Sequence, residues 1–389
     1  MFSAKTNWRL AQNRFTQAVE EVRARGGKIL DLTASNPTRV GLEYDAAAIL
    51  GALGSARALD YDPQAKGLLS AREAVAEYYR AEHGIRELDA ERIVLTTSTS
   101  EGYSYVFRLL CNAGDELLVP KPSYPLFEFL ADLQDVKLVP YPLIYDHGWQ
   151  MDFPSLEKAV TARTRGVVVV HPNNPTGSYA QSGEFAPLNE FCRARRLALI
   201  VDEVFLDYGL DDRRHESFAG NQKVLTFTLS GLSKISALPQ MKVAWVVTSG
   251  PTEVVAAAMA RLEVIADTYL SMNAPVQCAV PVLLGQRKNT QRQLMERVRR
   301  NLSELDRQLA AQKACQRLTV AGGWYAVVRV PVTRSDEELA IELVREKAVV
   351  VHPGHFYDFP SDGYMVLSLI TAAGEFAEGM ARVLAYVNS

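Results

Sequence analysis

Apolar residues along this chain fall into two alternating arrangements. Short continuous runs, such as Val167-Val168-Val169-Val170 and Leu197-Ala198-Leu199-Ile200-Val201, give way to stretches in which apolar positions recur every three or four residues. A β-rich run with no polar alternation is buried on both faces, as in a mainly parallel sheet covered by helices. The runs predict strands at 92–97, 116–119, 136–141, 166–171, 197–204, 224–230 and 243–248, about seven in all. Helical spacing predicts helices at 124–133, 154–162 and 184–195. Another opens at Ser98-Thr99-Ser100-Glu101, where Tyr103, Val106, Phe107, Leu110 and Cys111 form one face and Gly114 lies just past the end.

The two ends of the chain read differently. Asn7 to Arg25 has helical spacing through Leu10, Phe15, Ala18, Val19 and Val22, and Gly26-Gly27 stops it before a short strand at 29–32. Beyond residue 250 the pattern turns helical, with Pro251 to Leu270 and then a long amphipathic stretch from Pro275 to about Gln312. The tail holds strands at 324–330 and 365–370 and helices at 335–346 and 374–387. The expected fold class is α/β, a mainly parallel sheet covered by helices with a smaller α+β domain. The expected division is an arm over 1–45, a large domain over 46–272 and a small domain over 273–389.

Composition narrows the classes of partner. Hydrophobic content of 48% over 389 residues supports a large core, and a formal charge of −3 gives no reason to expect nucleic acid or an anionic membrane. The four cysteines form no CxxC pair and no cluster with histidine, so no metal site is expected. MFSAKTNWRL lacks the apolar stretch of a signal peptide, and no segment has the length of a membrane span. A cytoplasmic protein is expected.

Ligands of such sheets bind at the carboxyl ends of the strands. Ser98, Asn174, Asp202 and Lys234 fall at those ends. Lys234 follows a buried strand in Ser230-Gly231-Leu232-Ser233-Lys234, where apolar walls can lower an amine's pKa and free it for Schiff-base chemistry. Ser98, Thr99 and Ser100 open a helix, where free N–H groups, hydroxyls and the dipole suit an anion, although plain N-capping explains them as well. Asp202 could cap a helix, Asn174 could be a turn residue of Asn173-Asn174-Pro175-Thr176-Gly177, and Tyr124 could be core. Together they suit a phosphorylated aromatic aldehyde. It needs an amine to hold it, a donor cluster for its phosphate, a carboxylate for its ring nitrogen, an amide for its ring oxygen and an aromatic cover.

With these motifs in order, NNPTG, VDEVF and SGLSK, the chain resembles the class I/II aminotransferases among fold-type I pyridoxal-phosphate-dependent enzymes, from about Asp31 to the C-terminus. The resemblance implies pyridoxal 5'-phosphate as cofactor. It assigns Lys234 to the Schiff base and proton transfer, Asp202 to the pyridine nitrogen, Asn174 to the ring hydroxyl and Tyr124 to the ring face. Ser98, Thr99 and Ser100 would hold the phosphate, with Ser230 and Lys242 completing the cofactor site. Tyr61, in YDPQAKG, would reach the phosphate of a neighbouring subunit, which implies a homodimer. The implied activity is transfer of an amino group from an amino donor, an amino acid first, to a 2-oxo acid. A PLP-dependent lyase or decarboxylase, or a non-catalytic PLP-binding module, is the alternative.

Three positions depart from the family pattern. Phe205 stands where a tyrosine is usual, Lys242 where an arginine is usual, and Val366 where an arginine should clamp the substrate carboxylate. The substitute clamp is expected to be Arg39 in Ser35-Asn36-Pro37-Thr38-Arg39, with Arg329 second and His355 in PGHFYDF as a proton-dependent contact. Solvated surface positions are the ordinary alternative for both arginines. Asn36, Arg39, Asn174 and His355 form the expected substrate set.

Overall fold

A computed structural model describes every residue except Arg9, Asp212, Arg214 and Ser271, together with the side chains apart from that of Leu126. An eight-stranded sheet forms its centre, in the spatial order Ile93–Thr96, Ala244–Ser249, Thr226–Gly231, Ala198–Asp202, Thr164–Val170, Glu116–Lys121, Lys137–Tyr145, Trp149–Met151. From Thr226–Gly231 through Lys137–Tyr145 neighbouring strands are parallel. Ala244–Ser249 runs antiparallel to both of its neighbours. The eighth strand, Trp149–Met151, is a short antiparallel edge whose buried, exposed, buried pattern is too brief to register as a run.

Four strands, Ala198–Asp202, Thr226–Gly231, Ala244–Ser249 and Ile93–Thr96, have almost every residue buried. That is why they read as unbroken apolar runs: helices cover both faces. Each fully buried valine or leucine contributes on the order of 1.5–3 kcal/mol.

Two helical expectations change. The first α-helix begins at Arg14, not near Asn7, because the Asn13 carboxamide accepts the Thr16 N–H at 2.7 Å and caps it there. Leu10, 85% exposed, is therefore not on its buried face. The stretch from Pro275 to Gln312 is two helices, Ala274–Gly285 and Arg287–Ala310. The first is nearly all apolar, and its Val276, Ala279, Val280 and Leu283 share a buried cluster with Ile93, Leu95 and Trp245 of the large sheet. The second is amphipathic, and its Leu294, Val298 and Leu305 belong to the cluster around the smaller sheet. One helix facing two cores breaks between them.

The smaller sheet has the order Gln316–Arg317, Tyr325–Arg329, Tyr364–Ser368, His352–Pro353, all antiparallel. The arm joins this half of the molecule, since Leu30–Asp31 pairs in parallel with Val349–Val350. Among the described residues no helix is long and apolar enough to cross a membrane.

Candidate active site

Lys234 lies in the one-turn helix Leu232–Ile235, directly after the strand Thr226–Gly231. Gly231 makes the junction possible, because a Cβ there would sit 2.8 Å from the Val243 carbonyl. The backbone around the lysine is tied down from several directions. The Tyr208 hydroxyl donates to the Lys234 carbonyl at 2.6 Å, Gln291 Nε2 donates to the Ile235 carbonyl at 2.9 Å, and the Tyr44 hydroxyl donates to the Ala237 carbonyl at 2.8 Å.

The lysine amine lies 4.9 Å from the ring centre of Trp324 and 5.6 Å from that of Phe205. Burial lowers its pKa to about 8, and the negative charge of Asp202 works in the opposite direction. Asp202 closes the strand Ala198–Asp202. Burial pushes its carboxyl up to about 6, while the Val204 N–H, the Tyr103 hydroxyl and Lys234 favour the charged form. The Val204 N–H and the Tyr103 hydroxyl both donate to it at 3.1 Å.

The turn after Thr164–Val170 holds its two asparagines differently. Asn173 Oδ1 is taken by the Thr176 hydroxyl at 3.0 Å. Asn174 Oδ1 is buried and has no hydrogen-bond partner, so it has acceptor capacity left for a further group. Gly177, with φ +67°, accepts at its carbonyl from the N–H groups of Ala321 and Gly322. A Cβ on Gly177 would lie 2.5 Å from the Gly322 carbonyl. This close approach sets the segment that delivers Trp324 to Lys234.

Ser98 serves as the N-cap of Thr99–Leu110, its hydroxyl accepting from the Glu101 N–H at 3.2 Å. Thr99 and Ser100 keep hydroxyls without a partner among the described residues, beside the free N–H groups of the first turn. Tyr124 is 45% exposed and lies within electrostatic reach of Asp202. The hydroxyl of Ser230 is turned to the Glu203 carbonyl at 3.3 Å. Lys242 is exposed, with φ +53°, and Tyr61 is 85% exposed.

The substrate set is more scattered. Asn36, Arg39 and His355 are exposed. The Asn36 carboxamide is occupied by the N–H and hydroxyl of Thr38, at 3.0 and 2.7 Å. Arg39 makes no ion pair among the described residues. Arg329 is exposed, with its guanidinium 5.7 Å from the ring centre of Tyr364. Val366 is 1% exposed and lies between Val327 and His352.

Sequence reasoning passed over Tyr103, Trp324, Tyr208 and Gln291. Tyr103 sits on an apolar helical face, where its hydroxyl has no sequence signature. Trp324 follows Gly322-Gly323, a pair that signals a close backbone approach and could have drawn attention to it.

These groups fit pyridoxal 5'-phosphate. There is an amine of lowered pKa for its carbonyl, a half-buried carboxylate for its ring nitrogen, an unpartnered amide for its ring oxygen, and a hydroxyl-rich helix start for its phosphate. A doubly wound sheet with this set at its strand ends is the arrangement of the fold-type I PLP-dependent proteins. The model of the aminotransferase class I and II family matches residues 30–372, and the chain belongs to that family, whose cofactor is PLP. It is 32% identical to the glutamate-pyruvate aminotransferase AlaA of Escherichia coli over 261 residues, which is 67% of this chain and 64% of the relative. It is 27% identical to the alanine aminotransferase of Mycobacterium bovis over 375 residues, 94% of this chain and 87% of the relative. An alanine aminotransferase structure from Pyrococcus furiosus superposes with a TM-score of 0.90 at 20% identity, covering 100% of both chains, and shares the fold.

Proposed function

We propose that the protein is an aminotransferase that moves the amino group of an amino acid to a 2-oxo acid. The observation that carries this reading is the Lys234–Asp202 pair, a lysine held near pKa 8 and a carboxylate raised to about 6 in one half-buried site. Bound PLP supplies a carbonyl that accepts the amino group and a ring that draws electrons from the substrate α-carbon.

The residues divide the remaining work. Lys234, about half neutral near pH 8, would be the amine that holds the cofactor through its carbonyl. Its Nζ would also be the group that moves a proton at the substrate α-carbon. Trp324 and Phe205 keep water from this amine. Asp202, which Tyr103 orients, would keep the ring nitrogen protonated. Asn174 would bond the ring oxygen, and Tyr124 would cover the ring. Thr99 and Ser100 would hold the phosphate at the helix start that Ser98 caps, with Ser230 and Lys242 alongside. Asn36, Arg39 and His355 meet the substrate at the entrance. The partition 1–45, 46–272 and 273–389 would then set the arm and small domain over the large one.

Exposure of Tyr61 and of its neighbour Leu59, at 85% and 90%, supports a homodimer in which Tyr61 contacts the second subunit's phosphate site. Free cysteines at all four positions are in keeping with a cytoplasmic location. The names of the relatives make L-alanine and L-glutamate the first donors to try, with pyruvate and 2-oxoglutarate as acceptors. In a half-reaction screen, these donors should bleach the near-visible absorbance of the loaded protein and release the matching 2-oxo acid. Release of carbon dioxide without 2-oxo acid would replace this reading with a decarboxylase.

A further inference from the structure

The smaller sheet presents one face toward Lys234, and its register identifies the residues on that face. Directly opposed residues of antiparallel strands project to the same side, as do residues two apart on one strand. Val366 is opposed by Val327 on one side and His352 on the other. Tyr325, two residues before Val327, shares this face, and so does Ser368 opposite it. The Tyr325 ring lies 6.2 Å from that of Phe205, which in turn lies 5.6 Å from the Lys234 amine. The Ser368 hydroxyl donates to the Ala34 carbonyl of the arm. The face therefore fronts both the lysine and the arm.

Among the described residues no fixed cation stands in the middle of it. Val366 and Val327 are apolar and buried, and Arg329, at the far end, is exposed against Tyr364. The polar group opposite Val366 is His352, whose Nδ1 is 2.9 Å from the Tyr357 hydroxyl. Among the described residues nothing bonds its Nε2. Tyr357 is itself anchored to the cofactor side, because its carbonyl accepts the N–H of Ser123, the residue before Tyr124.

We propose that His352, oriented by Tyr357, is the group that binds the substrate's α-carboxylate, in place of a fixed arginine cation. The ligand class is that of α-amino and 2-oxo monocarboxylates accepted together with a proton. The inference rests on the aminotransferase reading. Burial holds the His352 imidazole below its ordinary pKa, and Asp31 opposes that shift. Tyr357, whose hydroxyl meets its Nδ1, is held well above its ordinary value by burial and stays neutral. The free ring is therefore mostly neutral near pH 7, and an arriving carboxylate favours its cationic form. Affinity for the carboxylate falls as pH rises.

The test uses the PLP-loaded protein and 2-aminoisobutyrate, which carries the α-carboxylate but no α-hydrogen. Binding is followed by the shift in near-visible absorbance between pH 6 and pH 9. His352→Phe should weaken binding about tenfold or more, and His352→Gln should recover part of the loss. Relative to the wild type, the decline of affinity with pH should flatten in both. Tyr357→Phe should weaken binding by a smaller factor, and it decides the matter should the His352 variants fail to fold. Unchanged affinity in the variants, or the same pH dependence with and without His352, overturns the proposal. Wild-type conversion of L-alanine to pyruvate, with binding indifferent to His352, would sink this inference and leave the aminotransferase reading standing. The expected binding without any 2-oxo acid formed from any amino acid would do the reverse.

Discussion

The half of the site that suits the cofactor and the half proposed for the substrate are built on different physical terms. On the large sheet, Asp202 and Lys234 terminate neighbouring parallel strands, and strand ends bring them together however the loops are drawn. Each is shifted by burial, the acid up and the amine down, and each is braced by hydrogen bonds to itself or to its backbone. Of the residues proposed for the substrate, Arg39, Arg329 and His355 are exposed. Electrostatic leverage thus follows desolvation: a charge in water contributes little, and a titratable group against apolar walls contributes much.

That contrast predicts a ranking of effects. Lys234→Ala should lower the rate of the half-reaction with L-alanine by roughly 10⁴-fold or more and remove the near-visible band of the loaded protein. Stopped-flow absorbance measures both, and a rate within tenfold of wild type would dismantle the assignment. Asp202→Asn comes next. Losing about 4 kcal/mol of stabilisation would slow single turnover roughly 10³-fold, and a loss smaller than tenfold would mean that the ring nitrogen has another partner.

Trp324→Leu probes the cofactor half alone. Burial is the main cause of the lysine's low pKa, so admitting water should move it from about 8 back toward the ordinary lysine value of 10.5. The rate of PLP loading into the cofactor-free protein depends on neutral amine. It should rise through about pH 8 in the wild type and at higher pH in the variant, and loading of the variant at pH 7 should be about tenfold slower or more. An unchanged loading profile would remove Trp324 from this role. The smallest effect belongs to Arg39→Ala. As an exposed cation, it should raise KM for an amino acid donor by about fivefold or less, fading with added salt. A rise of a hundredfold in steady-state assays would move the carboxylate site from the small sheet to the arm.

The cofactor half was open to a reading from sequence because each of its parts leaves a local mark. Unbroken β-rich runs announce strands buried on both faces, and the residue after such a run sits at a strand end. Asp202 ends its strand, Lys234 and Asn174 follow theirs by three and four residues, and Ser98 shows a capping pattern, while the roles given to them came from the resemblance. Tyr103 and Gln291 escaped it, since a hydroxyl or amide on a helical face becomes functional only through what packs against that face.

From the chain alone come the order of strands and helices and the approximate position, at strand ends, of a lysine, a carboxylate and a hydroxyl-rich helix start; the resemblance to the family adds that Val366 stands where an arginine is usual. Periodicity and turn chemistry are local, so a single chain displays them. Tertiary packing settled that the stretch after Pro275 divides between two cores, that Gly177 meeting Gly322 brings Trp324 over the lysine, and that His352 lies beside Val366. Each of these depends on register between segments far apart in the chain. Register is set by packing, which no local pattern records.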